Sequence, residues 1–105
     1  MTYTEQQIRN MQPGPEMDKQ LANVLGINVH LALGEKLSTT WEGMGLVLEK
    51  VKTLHEYVFI EISYEKGKWA CYIWFGVINK AEAFADEAPH AVAMAALALR
   101  GGEQG

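Results

Sequence analysis

The sequence predicts a mixed α+β fold, namely a three-layer α/β/α sandwich with a small, mainly antiparallel sheet and about four helices. Two apolar segments rich in aromatic and β-branched residues are separated by the polar residues 65–68, a pattern typical of a hairpin. Segments with helical spacing of apolar residues lie on both sides of this hairpin in the chain. Large side chains occupy both alternating sets of residues 69–75, which favours a sheet covered on both faces.

Length and composition are those of one globular domain. The chain has 105 residues, of which 49% are hydrophobic and 21% are charged. This is enough to build one core without disulfides or metal. We expect a single domain over residues 1–101 and a loose tail over 102–105.

The N-terminal part predicts two helices. A capping-box pattern at Thr4 precedes a short helix that extends to about Met11. Pro15 is suited to the first position of a second helix, which extends to about Leu25 with Gly26 as its C-terminal cap.

The next segment predicts a strand followed by a helix. Apolar residues alternate with Asn28, His30 and Ala32 from Ile27 to Leu33, the period of two expected of a strand. A second capping box, Thr39-x-x-Glu42, begins a helix that extends to about Lys52. Two interior glycines of that helix, Gly43 and Gly45, are costly unless packing or a close approach by another backbone or a ligand compensates.

The C-terminal half predicts the hairpin, a further strand and a last helix. The hairpin pairs 57–64 with 69–75, and alternation over 81–85 indicates a short strand. Asp86 is a candidate cap for the last helix, which has Pro89 in its first turn and an apolar stripe that ends before Gly101.

Several of these stretches together resemble the phage ABA sandwich domain family. The similar segments follow the same order and spacing over nearly the whole chain: Ile8 to Asp18, Leu21-Ala22, Val24 to Gly26, Ser38 to Trp41 with Val47, Ala85-Asp86, Pro89 and Ala91 to Leu97. The resemblance implies an α/β/α layered domain encoded by phages and prophages, with no agreed enzymatic activity.

The chain departs from that family's pattern at two places. Ile27 to Leu33 follows Gly26 where the family often has a tryptophan, and Ala93-Met94 stands where the last helix often has a Cys-Arg pair. No role of that pair is therefore transferred to this chain.

The residue types that usually carry catalysis are not arranged for it. The three histidines, at 30, 55 and 90, have no metal-ligand spacing, and Cys71 lies among aromatic residues in a strand, where a thiol packs as a small apolar group. Nothing fixes the separation of Glu61 and Glu82, so an acid/base pair has no support. We expect a non-enzymatic protein without a metal or other cofactor.

The segment 34–40 is the strongest candidate binding site. It joins a predicted strand to a predicted helix N-terminus, where free N–H groups and a partial positive charge favour anions. A small anionic ligand such as a cyclic nucleotide would contact the lysine, the hydroxyls and nearby aromatic rings: Lys36, Ser38, Thr39, Thr40, Trp41 and Trp74. The alternative is structural, with the hydroxyls capping the helix, Lys36 in solvent and Trp41 in the core.

Two functional hypotheses follow. One is an oligomeric phage accessory protein that sequesters a nucleotide immune signal in an infected bacterial host. The other is a protein-interaction or structural accessory domain that docks through its aromatic hairpin. Most of the hairpin aromatics are expected to pack in the sheet, whereas exposed ones would serve stacking or an interface. A deep pocket at Trp41 would favour the first hypothesis and a flat apolar patch on the hairpin the second.

The remaining expectations concern partners and location. The net charge of −4 argues against binding duplex nucleic acid, which requires clustered lysine and arginine. No apolar run approaches the roughly 20 residues of a membrane-spanning helix. A single cysteine and the lack of a secretory pattern after Met1 favour the cytoplasm. The many aromatic residues predict a homo-oligomer.

Overall fold

The computed structural model describes residues 5–75 and 79–102, which form five helices and a three-stranded antiparallel sheet. The α+β class predicted from the sequence is confirmed. The elements follow in the order α1 (Glu5–Arg9), α2 (Pro15–Leu25), α3 (Val29–Glu35), α4 (Trp41–Lys52), β1 (Val58–Glu65), β2 (Lys68–Phe75), β3 (Asn79–Ala85) and α5 (Ala88–Gly102).

Helices α1 and α2 lie where the sequence predicts them. Pro15 is the first residue of α2, and Gly26 ends the helix in the left-handed conformation with φ 73°. The apolar side chains Met17, Leu21 and Leu25 recur at the spacing of one helix face, and all three are buried. The predicted cap at Thr4 lies outside the described residues.

The predicted strand from Ile27 to Leu33 is wrong, because this segment forms α3. The Asn28 side chain caps the helix by accepting the backbone N–H groups of His30 at 2.9 Å and Leu31 at 3.2 Å. Such a local cap competes with strand pairing, and the alternation of apolar residues did not reveal it. Only Ala32 of this helix is fully buried.

Helix α4 begins one residue later than the predicted capping box requires. Thr40 is the N-cap, and its Oγ1 accepts the N–H of Gly43 at 2.9 Å. The third helical position is therefore Gly43 rather than Glu42, so the Thr39–Glu42 capping box is wrong. The helix itself ends at Lys52, as predicted.

The hairpin is confirmed. Strands β1 and β2 pair antiparallel, with Glu65 opposite Lys68, so that Lys66 and Gly67 form a two-residue turn. Both turn residues have positive φ, 52° and 80°, as a type I′ turn requires.

Strand β3 and helix α5 also confirm the prediction. β3 pairs antiparallel with β2 and completes the sheet order β1-β2-β3. Helix α5 has Pro89 in its first turn and extends to Gly102. The predicted tail therefore begins one residue too early, and its residues 103–105 lie outside the described part. Because α5 begins at Ala88, Glu87 rather than Asp86 precedes it directly.

One face of the sheet forms the core with α5. Cys71, Ile73 and Phe75 of β2 are buried on this face, and α5 packs against both β2 and β3. The opposite side of α5 packs against α1, α2 and α4, so residues 91–97 are buried all around the helix. No helix of the described residues is long and apolar enough to cross a membrane.

The opposite face of the sheet is exposed. Phe59 of β1 is 70% exposed and Phe84 of β3 is 47% exposed, although both are large apolar side chains. Among the described elements, α5 is the helix that packs on β2 and β3, and it covers the other face of the sheet. The second covering layer of the predicted α/β/α sandwich therefore stays a prediction.

Candidate functional site

The segment 34–40 connects two helices, not a strand and a helix as predicted. Residues 34 and 35 complete α3, and Lys36 follows it in the left-handed conformation with φ 55°. Gly43 of α4 lies against this turn so closely that a Cβ atom there would be 2.5 Å from the carbonyl oxygen of Lys36. The close backbone approach proposed for an interior glycine is thus confirmed at Gly43.

Two of the predicted ligand-binding hydroxyls are engaged within the fold. Ser38 is fully buried, donates its hydroxyl to the Asp18 carboxylate at 2.6 Å and accepts the N–H of Gly14 at 2.8 Å. The Thr40 hydroxyl donates to the carbonyl of Glu35 at 2.7 Å while it caps α4. The structural alternative for these hydroxyls, helix capping and turn stabilisation, accounts for their contacts.

The other predicted contacts divide between two surfaces. Lys36, Thr39 and Trp41 are exposed around the start of α4, and the Trp41 ring lies edge-on to Trp69 with centroids 5.7 Å apart. Trp74 points to the opposite face of the sheet from Trp69, because the two positions differ by an odd number of residues. The structure therefore does not place Trp74 beside the other five residues.

Asp18 is a buried polar residue that the sequence analysis missed. Its carboxylate accepts both the hydroxyl and the backbone N–H of Ser38, the latter at 2.8 Å. The sequence feature that could have revealed it is its position on the same helix face as Leu21, Ala22 and Leu25. A buried acid without a partner would be costly there. It fastens α2 to the α3–α4 turn.

The exposed sheet surface, here called the outer face, has the geometry of a second candidate site. Ala70, Tyr72 and Trp74 of β2 each lie between an outward residue of β1 and one of β3, and Lys68 lies opposite Glu65 of β1. The face consists of Phe59, Glu61, Ser63, Glu65, Lys68, Ala70, Tyr72, Trp74, Lys80, Glu82 and Phe84.

Four aromatic side chains form the apolar part of the outer face. Tyr72 and Trp74 stack with centroids 6.0 Å apart and an interplanar angle of 19°. Phe84 lies edge-on to Tyr72 at 5.9 Å, and Phe59 is the cross-strand neighbour of Trp74. The prediction from the sequence treated the hairpin aromatics together and gave Phe84 no role, although its alternation with Ala83 and Ala85 places it on the opposite side of the strand from them.

Acidic side chains flank the centre of the outer face. Glu61 and Glu82 occupy the cross-strand positions on either side of Tyr72, two strand spacings or roughly 10 Å apart. Glu82 forms an ion pair with Lys80 at 3.2 Å, whereas Glu61 has no ion-pair partner among the described residues. The structure thus fixes the backbone separation of these two residues, which the sequence left open.

Tyr72 is held in place by a third carboxylate. Its hydroxyl donates to Glu65 Oε2 at 3.1 Å, and that oxygen also accepts the Ser63 hydroxyl at 2.7 Å. Partial burial, this hydrogen bond and the nearby charges of Glu65, Glu82 and Glu61 raise the pKa of Tyr72. The phenol is therefore neutral at physiological pH and serves as a donor.

Cys71, His55 and His90 make contacts within the fold. Burial raises the pKa of the Cys71 thiol from 9.0 to about 12, so it is held as an unreactive thiol. The His90 ring bonds the carbonyl oxygen of Met11 at 2.9 Å, and the His55 ring stacks on Phe75. Within residues 5–75 and 79–102, no group of three or more candidate ligands could hold a metal ion.

Comparison with protein-family models, with curated proteins and with solved structures finds no match to this chain. The resemblance to phage ABA sandwich domains therefore stays a prediction.

Proposed function

We propose that this chain is a non-enzymatic interaction domain that docks a partner protein through the outer face of its sheet. The observation that carries the proposal is an aromatic cluster of two exposed rings, Phe59 and Phe84, and two half-buried rings, Tyr72 and Trp74, on a sheet whose other face supplies the core. Phe59 and Phe84 are 70% and 47% exposed, and they flank the stacked pair of Tyr72 and Trp74.

Aromatic side chains of this kind are costly to leave in water and valuable at an interface. Each buries a large apolar area for the loss of few rotatable bonds, and aromatic residues are enriched at the centres of protein interfaces. The aromatic–aromatic contacts also fix the rings before a partner arrives, which lowers the ordering cost of binding. A flat apolar patch on the hairpin was the feature expected of the interaction hypothesis.

Nucleotide sequestration remains the second hypothesis and has less support. Lys36, Thr39 and Trp41 are exposed together, which suits a shallow anion contact. Ser38 and Thr40 already satisfy partners inside the fold, and Trp74 lies elsewhere. An accessory role in a phage-infected bacterium rests on the family resemblance and forms part of the proposal only on that basis.

Site-specific photo-crosslinking tests the proposed function. A photoreactive phenylalanine analogue replaces Phe59 or Phe84 in the full chain inside producing cells, and replaces Thr39 on the helical side as the matched exposed control. We expect the two outer-face positions to crosslink the same partner protein and the control position not to do so. Identical crosslinks from all three positions, or none from the outer face, would contradict the proposal.

A further inference from the structure

The outer face combines its aromatic rings with an excess of negative charge. Its three strands carry the outward acids Glu61, Glu65 and Glu82 against the outward lysines Lys68 and Lys80. Both lysines are engaged, Lys68 with Asp86 at 2.6 Å and Lys80 with Glu82 at 3.2 Å. A docking partner therefore meets an apolar surface that is electrostatically negative.

The centre of this face has the chemistry that recognises a guanidinium group. Tyr72 presents its ring between the carboxylates of Glu61 and Glu82, and Trp74 extends the aromatic surface beside it. A guanidinium stacks on aromatic rings and pairs with a carboxylate in the same plane, so one arginine can use both features. Of these two carboxylates, Glu82 is paired with Lys80, whereas Glu61 has no ion-pair partner among the described residues. The hydrogen bond from Tyr72 to Glu65 holds the central ring.

The size of the face limits what can cover it. Strands of seven and eight residues make a surface of roughly 25 Å by 15 Å, on the order of 400 Å². This is about half of the ~800 Å² that each partner contributes to a standard stable interface. A second copy stacked face to face would also bring Glu61 and Glu82 against the same acids of the other chain.

We propose that the outer face binds an arginine-bearing basic segment of a different protein, with the guanidinium over Tyr72 and Trp74 and its charge paired with Glu61. This inference rests on the proposed docking function and specifies the chemistry of the partner. It assigns Glu61 as the residue that discriminates a basic partner from a neutral apolar one.

Binding of three synthetic peptides to the full chain, followed by NMR amide shifts, tests the inference. The first peptide has nine residues with arginine alternating with leucine. The second has citrulline, which keeps the shape and loses the charge, in place of each arginine, and the third has glutamate there. We expect the arginine peptide to shift signals of β1, β2 and β3 around Tyr72, and the citrulline peptide to bind about five- to tenfold more weakly.

Two charge variants locate the effect. Glu61→Gln should weaken binding of the arginine peptide to the level of the citrulline peptide. The control, Glu49→Gln, removes the same charge from an exposed site on α4 and should leave binding unchanged. Melting curves of both variants should match that of the parent chain, because both side chains are exposed.

The failures of the two proposals are distinguishable. Equal binding of the arginine and citrulline peptides at the outer face, or an unchanged affinity in Glu61→Gln, overturns arginine recognition and leaves apolar docking standing. Shifts confined to other surfaces also overturn it. Arginine-specific binding without any partner crosslinked from Phe59 or Phe84 would instead contradict the proposed function.

Discussion

A buried acid and a buried hydroxyl hold the helical half of the molecule together. Asp18 on α2 accepts two hydrogen bonds from Ser38, and the Ser38 hydroxyl in turn accepts the N–H of Gly14. No buried side-chain nitrogen or oxygen of the described residues lacks a hydrogen-bond partner. Removing one member would therefore leave the others unsatisfied in an apolar environment, which costs more than the hydrogen bond itself contributes.

Asp18→Ala and Ser38→Ala should each lower the free energy of unfolding by about 1–3 kcal/mol. Urea denaturation followed by circular dichroism measures the change. Lys19→Ala, the exposed neighbour on α2, is the control and should stay within about 0.5 kcal/mol of the parent chain. If Asp18→Ala were as stable as Lys19→Ala, the buried network would have no stabilising role.

For Ser38 and Thr40, the sequence did not determine whether the hydroxyls bind a ligand or stabilise the fold. The hydroxyls of Ser38 and Thr40 are suited to a ligand or to the backbone, and residue type does not distinguish the two uses. The choice depends on Asp18, which is 20 residues away from Ser38 in the chain. The period of two in the strands placed Trp74 on the opposite face from Ile73 and Phe75, but the exposure of that face was not predicted, because both faces were expected to be covered.

At the scale of elements, the contact between α4 and the turn after α3 depends on a single glycine. A Cβ atom on Gly43 would lie 2.5 Å from the Lys36 carbonyl oxygen and 2.6 Å from the Leu37 Cα, both backbone atoms. A Cβ atom on Gly45, two residues further along α4, would meet no atom within 4 Å. One glycine is thus required by packing, and the other only weakens the helix.

Opposite effects of alanine at these two glycines are expected. Gly43→Ala should lower the free energy of unfolding by about 1–3 kcal/mol, because the turn must move to admit the methyl group. Gly45→Ala should raise it by up to about 1 kcal/mol, since alanine is the better helix former. Chemical denaturation of both variants gives the two signs, and a Gly43→Ala variant at least as stable as the parent chain would refute the close approach at Gly43.

Elements with unambiguous local start and stop signals were predictable from the sequence. Elements in which a helix signal and a strand signal compete were not. Helix α2 has a proline at its start, a glycine at its end and one apolar face, so its bounds followed directly from the sequence. The polar residues 65–68 likewise indicated the hairpin, whereas the two-residue Lys66-Gly67 turn and the register are findings of the structure. For 27–33 the alternation favoured a strand, but Asn28 caps a helix there and only one residue of α3 is fully buried.

At the scale of the whole molecule, the described helices that cover the sheet lie on one side of it. Helix α5 and the helices behind it cover one face of the sheet, whereas the outer face keeps exposed aromatics and acids. A sheet with one wet face normally alternates apolar and polar residues, and strand β2 instead has Tyr72 and Trp74 pointing outward. This excess of aromatic surface is the central reason to assign the outer face a binding role.

The predicted homo-oligomer stays a prediction and has a defined relation to this surface. An oligomer that buried the outer face would supply the second layer of the three-layer sandwich, whereas one that formed elsewhere would leave the face free. The negative charge and the small area of the outer face favour an oligomer that forms elsewhere and leaves this face free.

The measurement that tests the central claim most directly is the accessibility of the outer face in the isolated protein. A paramagnetic gadolinium chelate is added to the full chain, and NMR line broadening is read in a sample whose mass is fixed by light scattering. We predict strong broadening at the exposed Phe59 and Phe84 rings, intermediate broadening at the half-buried Trp74 ring and little at the buried Ile73 and Val92, whatever the oligomeric mass. Protection of the outer-face rings equal to that of Ile73 would mean that the face is already covered, and would contradict the account.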